Sequence, residues 1–170
     1  HAPVLVSFAG ITDSVKQTLA AYLSGQLNPV ILSAPANIEP AICSGMLWGG
    51  NLSLVVNSIG RIPKPENILL FLEEVDEYLY HIDRMCWQLK QAGYFQESNA
   101  CLMGGFTQIK DNEIPFGKSL SEIVLEKRKP GCPVLFEFPA GHQPENHPIF
   151  LGVTATVQIS PSETVLYWHT

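Results

Sequence analysis

The sequence predicts an α/β or α+β domain built on a mixed sheet, and argues against both a helical bundle and an all-β sandwich. Three observations carry that expectation. Short apolar or alternating runs rich in Val, Ile, Leu and Phe occur at residues 3–8, 29–33, 68–72, 100–103, 133–138, 150–158 and 164–168, each of strand length. Segments with helix caps or a helical apolar stripe interleave with them. The last two runs follow one another with no helix between.

The helices are marked at their ends. Asp13 or Ser14 opens a segment with apolar Val15, Leu19, Ala20 and Leu23, and Gly25 stands just past it. Asn51 is placed to cap residues 52–59, which Gly60 closes in the left-handed position. The clearest helix spans about residues 78–92, where Ile82, Met85, Cys86 and Leu89 form an i, i+3, i+4, i+7 stripe that Gly93 stops. Ser119 and Glu122 make a capping box for a last helix that ends before Pro130-Gly131.

Composition narrows the class of function. The chain has 170 residues, 46% hydrophobic and 15% charged, enough apolar material for one compact domain without repeats or low-complexity segments. Its net charge is −6, with Lys and Arg scattered, which excludes a nucleic-acid or anionic-membrane partner. The longest apolar run, residues 68–72, is far short of the roughly 20 residues of a membrane span, so a soluble protein is expected. The chain starts at His1 rather than Met and carries no charged leader, which reads as a cut or processed start. Cys43, Cys86, Cys101 and Cys132 form no C-x-x-C pair and sit beside apolar neighbours; the expectation is buried free thiols in a reducing cytoplasm and no zinc cluster.

Four segments are candidates for chemistry. Gly49-Gly50-Asn51 leads into a helix start, where backbone N–H groups and the helix dipole favour an anion, although an isolated Gly-Gly-Asn reads first as a cap after a turn. Glu73-Glu74 ends an apolar strand, where crevices form in open α/β sheets; taken alone, such acids are expected to be solvated. Phe138-Pro139-Ala140-Gly141-His142 brings a histidine after small residues that permit close approach. Asp83 and Arg84, adjacent on a helix, point apart and so do not pair; one of them is expected to reach a neighbouring element. Glu73 and His142 together suit two members of a catalytic triad, a carboxylate orienting an imidazole. The nucleophile is missing. There is no G-x-S-x-G elbow, residues 8–12 have an elbow-like flavour without a central Ser or Cys, and the cysteines lie among apolar residues that disfavour a thiolate.

Leu47-Trp48-Gly49-Gly50-Asn51-Leu52-Ser53-Leu54, Ile68-Leu69-Leu70-Phe71-Leu72-Glu73-Glu74-Val75, Tyr80-His81-Ile82-Asp83-Arg84-Met85, Gly141-His142 and Ile149-Phe150-Leu151-Gly152 follow one another in order. Together they resemble the carboxyl-terminal domain of the LD-carboxypeptidase family, serine peptidases that include the microcin C self-immunity enzymes. The resemblance runs from His1-Ala2-Pro3, similar to a family H-G-P, almost to the end. It implies that residues 1–170 are the carboxyl-terminal domain of a two-domain enzyme, with a three-layer β/β/α swivelling-type fold. The absent amino-terminal domain would supply the serine and the oxyanion hole, while Glu73 and His142 complete a Ser-Glu-His triad and Gly50 and Asn51 approach the substrate. The implied activity is release of terminal D-alanine from muropeptide tetrapeptides in the cytoplasm by a homodimer, with no metal and no cofactor. Ala2, Ala140, Arg61-Ile62-Pro63 and Glu145-Asn146-His147-Pro148 depart from the family pattern.

Overall fold

A computed structural model describes residues 1–2, 12–33 and 38–169. The expected strand at residues 3–8 and most of the elbow-like segment at 8–12 lie outside these described residues. The described chain runs α1 (Asp13–Leu23), β1 (Val30–Ser33), β2 (Ala41–Asn51), α2 (Leu52–Asn57), β3 (Ile68–Val75), α3 (Leu79–Gln91), α4 (Tyr94–Glu97), β4 (Ser98–Thr107), α5 (Leu120–Lys127), β5 (Val134–Leu135), β6 (Thr154–Ile159) and β7 (Glu163–Trp168). The α/β class and the mixed sheet hold. Seven strands form one sheet in the order β1-β7-β6-β2-β3-β4-β5. Strands β2 to β5 are parallel to one another, whereas β6 pairs antiparallel with β2, and β7 antiparallel with both β6 and β1.

Strand β3 is buried over its whole apolar run, as expected of a central parallel strand. Its alternate side chains feed two cores. Ile68, Leu70 and Leu72 pack with Cys101 and Met103 of β4 under α2, α3, α4 and α5. Leu69 and Phe71 pack with Leu47, Leu102, Phe138, Ala140 and Ile149 on the other face. The apolar stripe of α3 places Ile82, Cys86 and Leu89 in the first of these cores.

The local signals act at the expected places. Asn51 accepts a hydrogen bond from Leu54 N–H and caps α2. Ser119 and Glu122 form both halves of the capping box of α5. The cap of α1 is Thr12, ahead of both expected positions, Asp13 and Ser14. Two expected strands are shorter than their apolar runs. The run at 133–138 pairs only at Val134 and Leu135, because Glu137 adopts φ +58° and turns the chain off the sheet. The run at 150–158 becomes a strand only from Thr154. One central strand, β2, was not expected at all. Ala41–Asn51 carries three glycines and no clean alternation, and Gly49 and Gly50 lie near φ +139°, extended backbone open only to glycine.

Asp83 reaches out of α3 to Lys127 of α5 at 2.5 Å, while Arg84 lies over the Tyr80 ring. The Lys127 side chain is fully buried and also bonds Glu126 at 3.1 Å. The four cysteines are free thiols, buried at 86, 101 and 132 and half-buried at 43. No helix among the described residues is long and apolar enough to cross a membrane. Replacing Lys127 by Met keeps the stem but strands the Asp83 carboxylate, and should lower the unfolding free energy by about 2–4 kcal/mol in urea denaturation.

Candidate active site

In the parallel register of β2 and β3, Gly50 lies opposite Leu72 and Asn51 opposite Glu73, so all four residues sit at the carboxyl end of the strand pair. Strand alternation then sends Glu73 and Glu74 to opposite faces. Neither is solvated as the strand-end position suggests: Glu73 is 2% exposed and Glu74 4%. Each carboxylate is buried because it has a specific partner, which burial of a charge requires.

Glu73 is met by His142, whose Nδ1 contacts Glu73 Oε2. That contact needs an unusually close approach of a loop to a strand. Between Leu72 and Glu74 the register with β4 shifts from Met103 to Phe106, so Gly104 and Gly105 bulge opposite Glu73. The loop docks onto the bulge. Gly105 N–H donates to Ala140 carbonyl at 2.8 Å, and Thr107 Oγ1 donates to His142 carbonyl at 2.8 Å. A Cβ on Gly104 would lie 2.4 Å from the Ala140 carbonyl oxygen, one on Gly105 3.0 Å from the His142 backbone, and one on Gly141 2.7 Å from Glu73 Cβ. The loop also closes on itself, with Gly141 N–H donating to Asn146 Oδ1 at 2.8 Å and His147 N–H to Pro139 carbonyl at 2.7 Å.

Glu74 faces the helical side. It accepts from Asn51 Nδ2 at 2.6 Å, from Ser53 N–H at 3.0 Å and from Val75 N–H at 3.0 Å. The anion expected at the start of α2 is therefore this internal carboxylate. Asn51 is committed within the fold, its Oδ1 accepting from Ser53 Oγ at 2.7 Å and from Leu54 N–H at 3.3 Å. Gly50 is different: no described residue lies within 4 Å of where its Cβ would be. The structure thus gathers Gly50, Asn51, Glu73 and His142 at one edge of the sheet. Sequence reasoning missed the supports: Glu74 as the partner of Asn51, the Gly104-Gly105 bulge, Thr107 and Asn146. Only the doubled glycine carried a readable signal.

The His142 side chain is half exposed, and Nε2 makes no hydrogen bond to the described residues. An imidazole donating Nδ1–H to a carboxylate leaves the Nε2 lone pair free to take a proton. Two clefts of about 360 and 440 Å³ lie at the carboxyl-terminal ends of α2 and α3, lined by residues including Arg61, Lys64 and Tyr94 in one and Val56 and Gln88 in the other; neither borders Glu73 or His142. Of the pair, His142 is presented at a surface and Glu73 lies beneath it. Among the described residues no group of three His, Cys, Asp or Glu is placed to hold a metal ion.

The sequence model of the LD-carboxypeptidase C-terminal domain matches residues 44–157. A probable murein peptide carboxypeptidase of Bacillus subtilis is 32% identical over 98% of this chain and 54% of its own length. A murein tetrapeptide carboxypeptidase of Pseudomonas aeruginosa is 30% identical over 67% of this chain and 38% of its own. The chain thus spans about half, or less, of these curated relatives. Among solved structures, a muramoyltetrapeptide carboxypeptidase from Oxalobacter formigenes superposes with a TM-score of 0.80 at 22% identity, over 94% of this chain and 56% of that one. The microcin C7 self-immunity protein MccF superposes with a TM-score of 0.67 at 18% identity, over 84% and 41%. At these identities the solved structures speak for the fold.

Gly141 and Gly60 both have positive φ, +104° and +76°, but only at Gly141 does a Cβ collide with a neighbour. Gly60→Ala should cost roughly 1 kcal/mol in urea unfolding, whereas Gly141→Ala should cost about 3 kcal/mol and lift His142 off Glu73.

Proposed function

Because the chain belongs to the LD-carboxypeptidase C-terminal domain family, we propose that it is the Glu- and His-bearing half of a serine carboxypeptidase. Residues 1–170 form one domain, and a domain preceding it in the full protein carries the nucleophilic serine and the oxyanion hole. The observation that supports this reading is the His142–Glu73 contact, with the carboxylate buried, the imidazole half exposed and its Nε2 making no hydrogen bond to the described residues.

The chemistry follows from that arrangement. His142 Nε2 takes the serine proton as the hydroxyl attacks the scissile carbonyl, and later returns it to the leaving amine. Glu73 fixes the tautomer and stabilises the imidazolium that forms between those steps. The substrate is a muropeptide tetrapeptide, the leaving amine its terminal D-alanine, and the setting cytoplasmic cell-wall recycling by a homodimer. The names of the Bacillus and Pseudomonas relatives support a murein-derived peptide. Gly50, with no described residue within 4 Å of where its Cβ would be, forms the substrate-facing edge, and Asn51 beside it is held to Glu74. The runner-up substrate is an aminoacyl-nucleotide conjugate, and a further rival is a binding module whose parent lacks the serine.

In the full-length protein, Glu73→Ala and His142→Ala should each lower tetrapeptide turnover by about four orders of magnitude, and near-normal turnover in either would overturn the assignment. The same preparation should leave an aminoacyl-nucleotide conjugate uncleaved. The 170-residue chain alone should show no peptidase activity.

A further inference from the structure

Cys101 and Cys132 are the one pair of thiols in contact among the described residues, and the proposed hydrolysis uses neither. Their sulfurs lie 4.0 Å apart although 31 positions separate them in the chain. Cys101 is on the helix-facing side of β4, three residues before the bulge, and is completely buried. Cys132 immediately precedes Pro133, whose carbonyl accepts from Cys101 N–H at 2.9 Å, so the backbone pairing of β4 with the entry to β5 holds the two thiols together. The contact stands at the amino-terminal side of the strand, away from Glu73 and His142.

The surroundings divide the roles. Cys132 sits one residue below the exposed Pro130-Gly131 turn, where Gly131 adopts φ +77°. The hydrogen bond with Cys101, and then the Lys129 and Arg128 charges, lower the Cys132 thiol against the effect of its burial. Cys101 is pushed the other way by the same hydrogen bond and by burial. Cys86 has no thiol neighbour in contact and burial raises it to about 12, and Cys43 is also raised by burial. A disulfide needs its sulfurs about 2.05 Å apart, so the two thiols, now 4.0 Å apart, have about 2 Å to close.

We propose that Cys101 and Cys132 are a peroxide-responsive thiol pair that closes reversibly to a disulfide. Cys132, as thiolate, attacks one oxygen of a hydroperoxide; the O–O bond breaks, an alcohol or water leaves with the proton, and Cys132 becomes a sulfenic acid. The Cys101 sulfur then displaces the hydroxyl, forming the S–S bond and breaking the S–O bond, and its proton leaves with the hydroxide as water. Two thiols and one hydroperoxide give one disulfide, one alcohol and one water. A small thiol such as dithiothreitol reverses the product by exchange.

The test is peptide mapping of the reduced full-length protein before and after stoichiometric hydrogen peroxide, with free thiols alkylated after denaturation. A linked peptide joining Cys101 to Cys132, lighter by about two hydrogens than its separate halves, should rise at least about tenfold and vanish with dithiothreitol. Cys43 and Cys86 should stay alkylated. In Cys101→Ser, a sulfenic acid should be trapped on Cys132 by dimedone, whereas Cys132→Ser should leave Cys101 reduced. Linkage to another cysteine, no linkage in the unsubstituted protein, or a sulfenic acid that persists on Cys132 beside an intact Cys101 would overturn the proposal. None of these readouts depends on peptidase activity.

Discussion

The carboxylate of Glu73 is the constraint from which the site is built. Taking a carboxylate out of water costs several kcal/mol unless a partner is brought to it. The partner here is on a loop 69 positions away, so the loop has to reach the strand closely enough for an imidazole to touch the acid. Several backbone features nearby serve that approach. The bulge of β4 turns two small residues toward the loop, Gly141 removes the side chain that would strike Glu73, and Thr107 and Asn146 hold the loop backbone from either side of the histidine.

The sheet divides its work between two halves. Strands β2, β3 and β4 run parallel, so their carboxyl ends come out together and bring Asn51, Glu73 and the docking glycines to one edge, as open parallel sheets do at their functional crevices. The antiparallel half, β6, β7 and β1, supplies Val157, Leu166 and Val30 to the core on the face that no helix α2–α5 covers. Glu74 links the site to the other face. By neutralising the start of α2 and gripping the Asn51 amide, it ties the helix that follows β2 to the strand that carries Glu73.

Much of this was legible in the residues. The caps of α2 and α5, the stripe of α3, the strands around residues 68–72 and 164–168, and the two acids and one histidine of the site all have local signals, because cap chemistry and periodicity act over a few residues. What was not legible depends on contacts far along the chain. The glycines of β2 look like a turn until Phe71 is known to pass beside them; a Cβ on Gly49 would lie 1.8 Å from the Phe71 carbonyl oxygen. The acids look solvated until their partners, at His142 for one and at Asn51 and Ser53 for the other, are brought across the sheet. The nucleophile was absent from the reading because the sequence holds no G-x-S-x-G elbow and its cysteines lie among apolar residues.

Two adjacent glutamates with different duties bear on how β3 finds its place. Strands usually settle their alignment by hiding one apolar face, since sliding by one residue turns that face to water. Ile68 through Leu72 are buried on both sides, so this penalty is nearly absent for β3. A slid strand would still bury at least four of its five apolar side chains. It would, however, hand His142 either Leu72, with Glu73 then facing the start of α2, or Glu74, with Val75 facing it. The polar pair therefore acts as the strand's alignment key, and a single-codon insertion or deletion within the run would be read at the two acids before it was felt in the core.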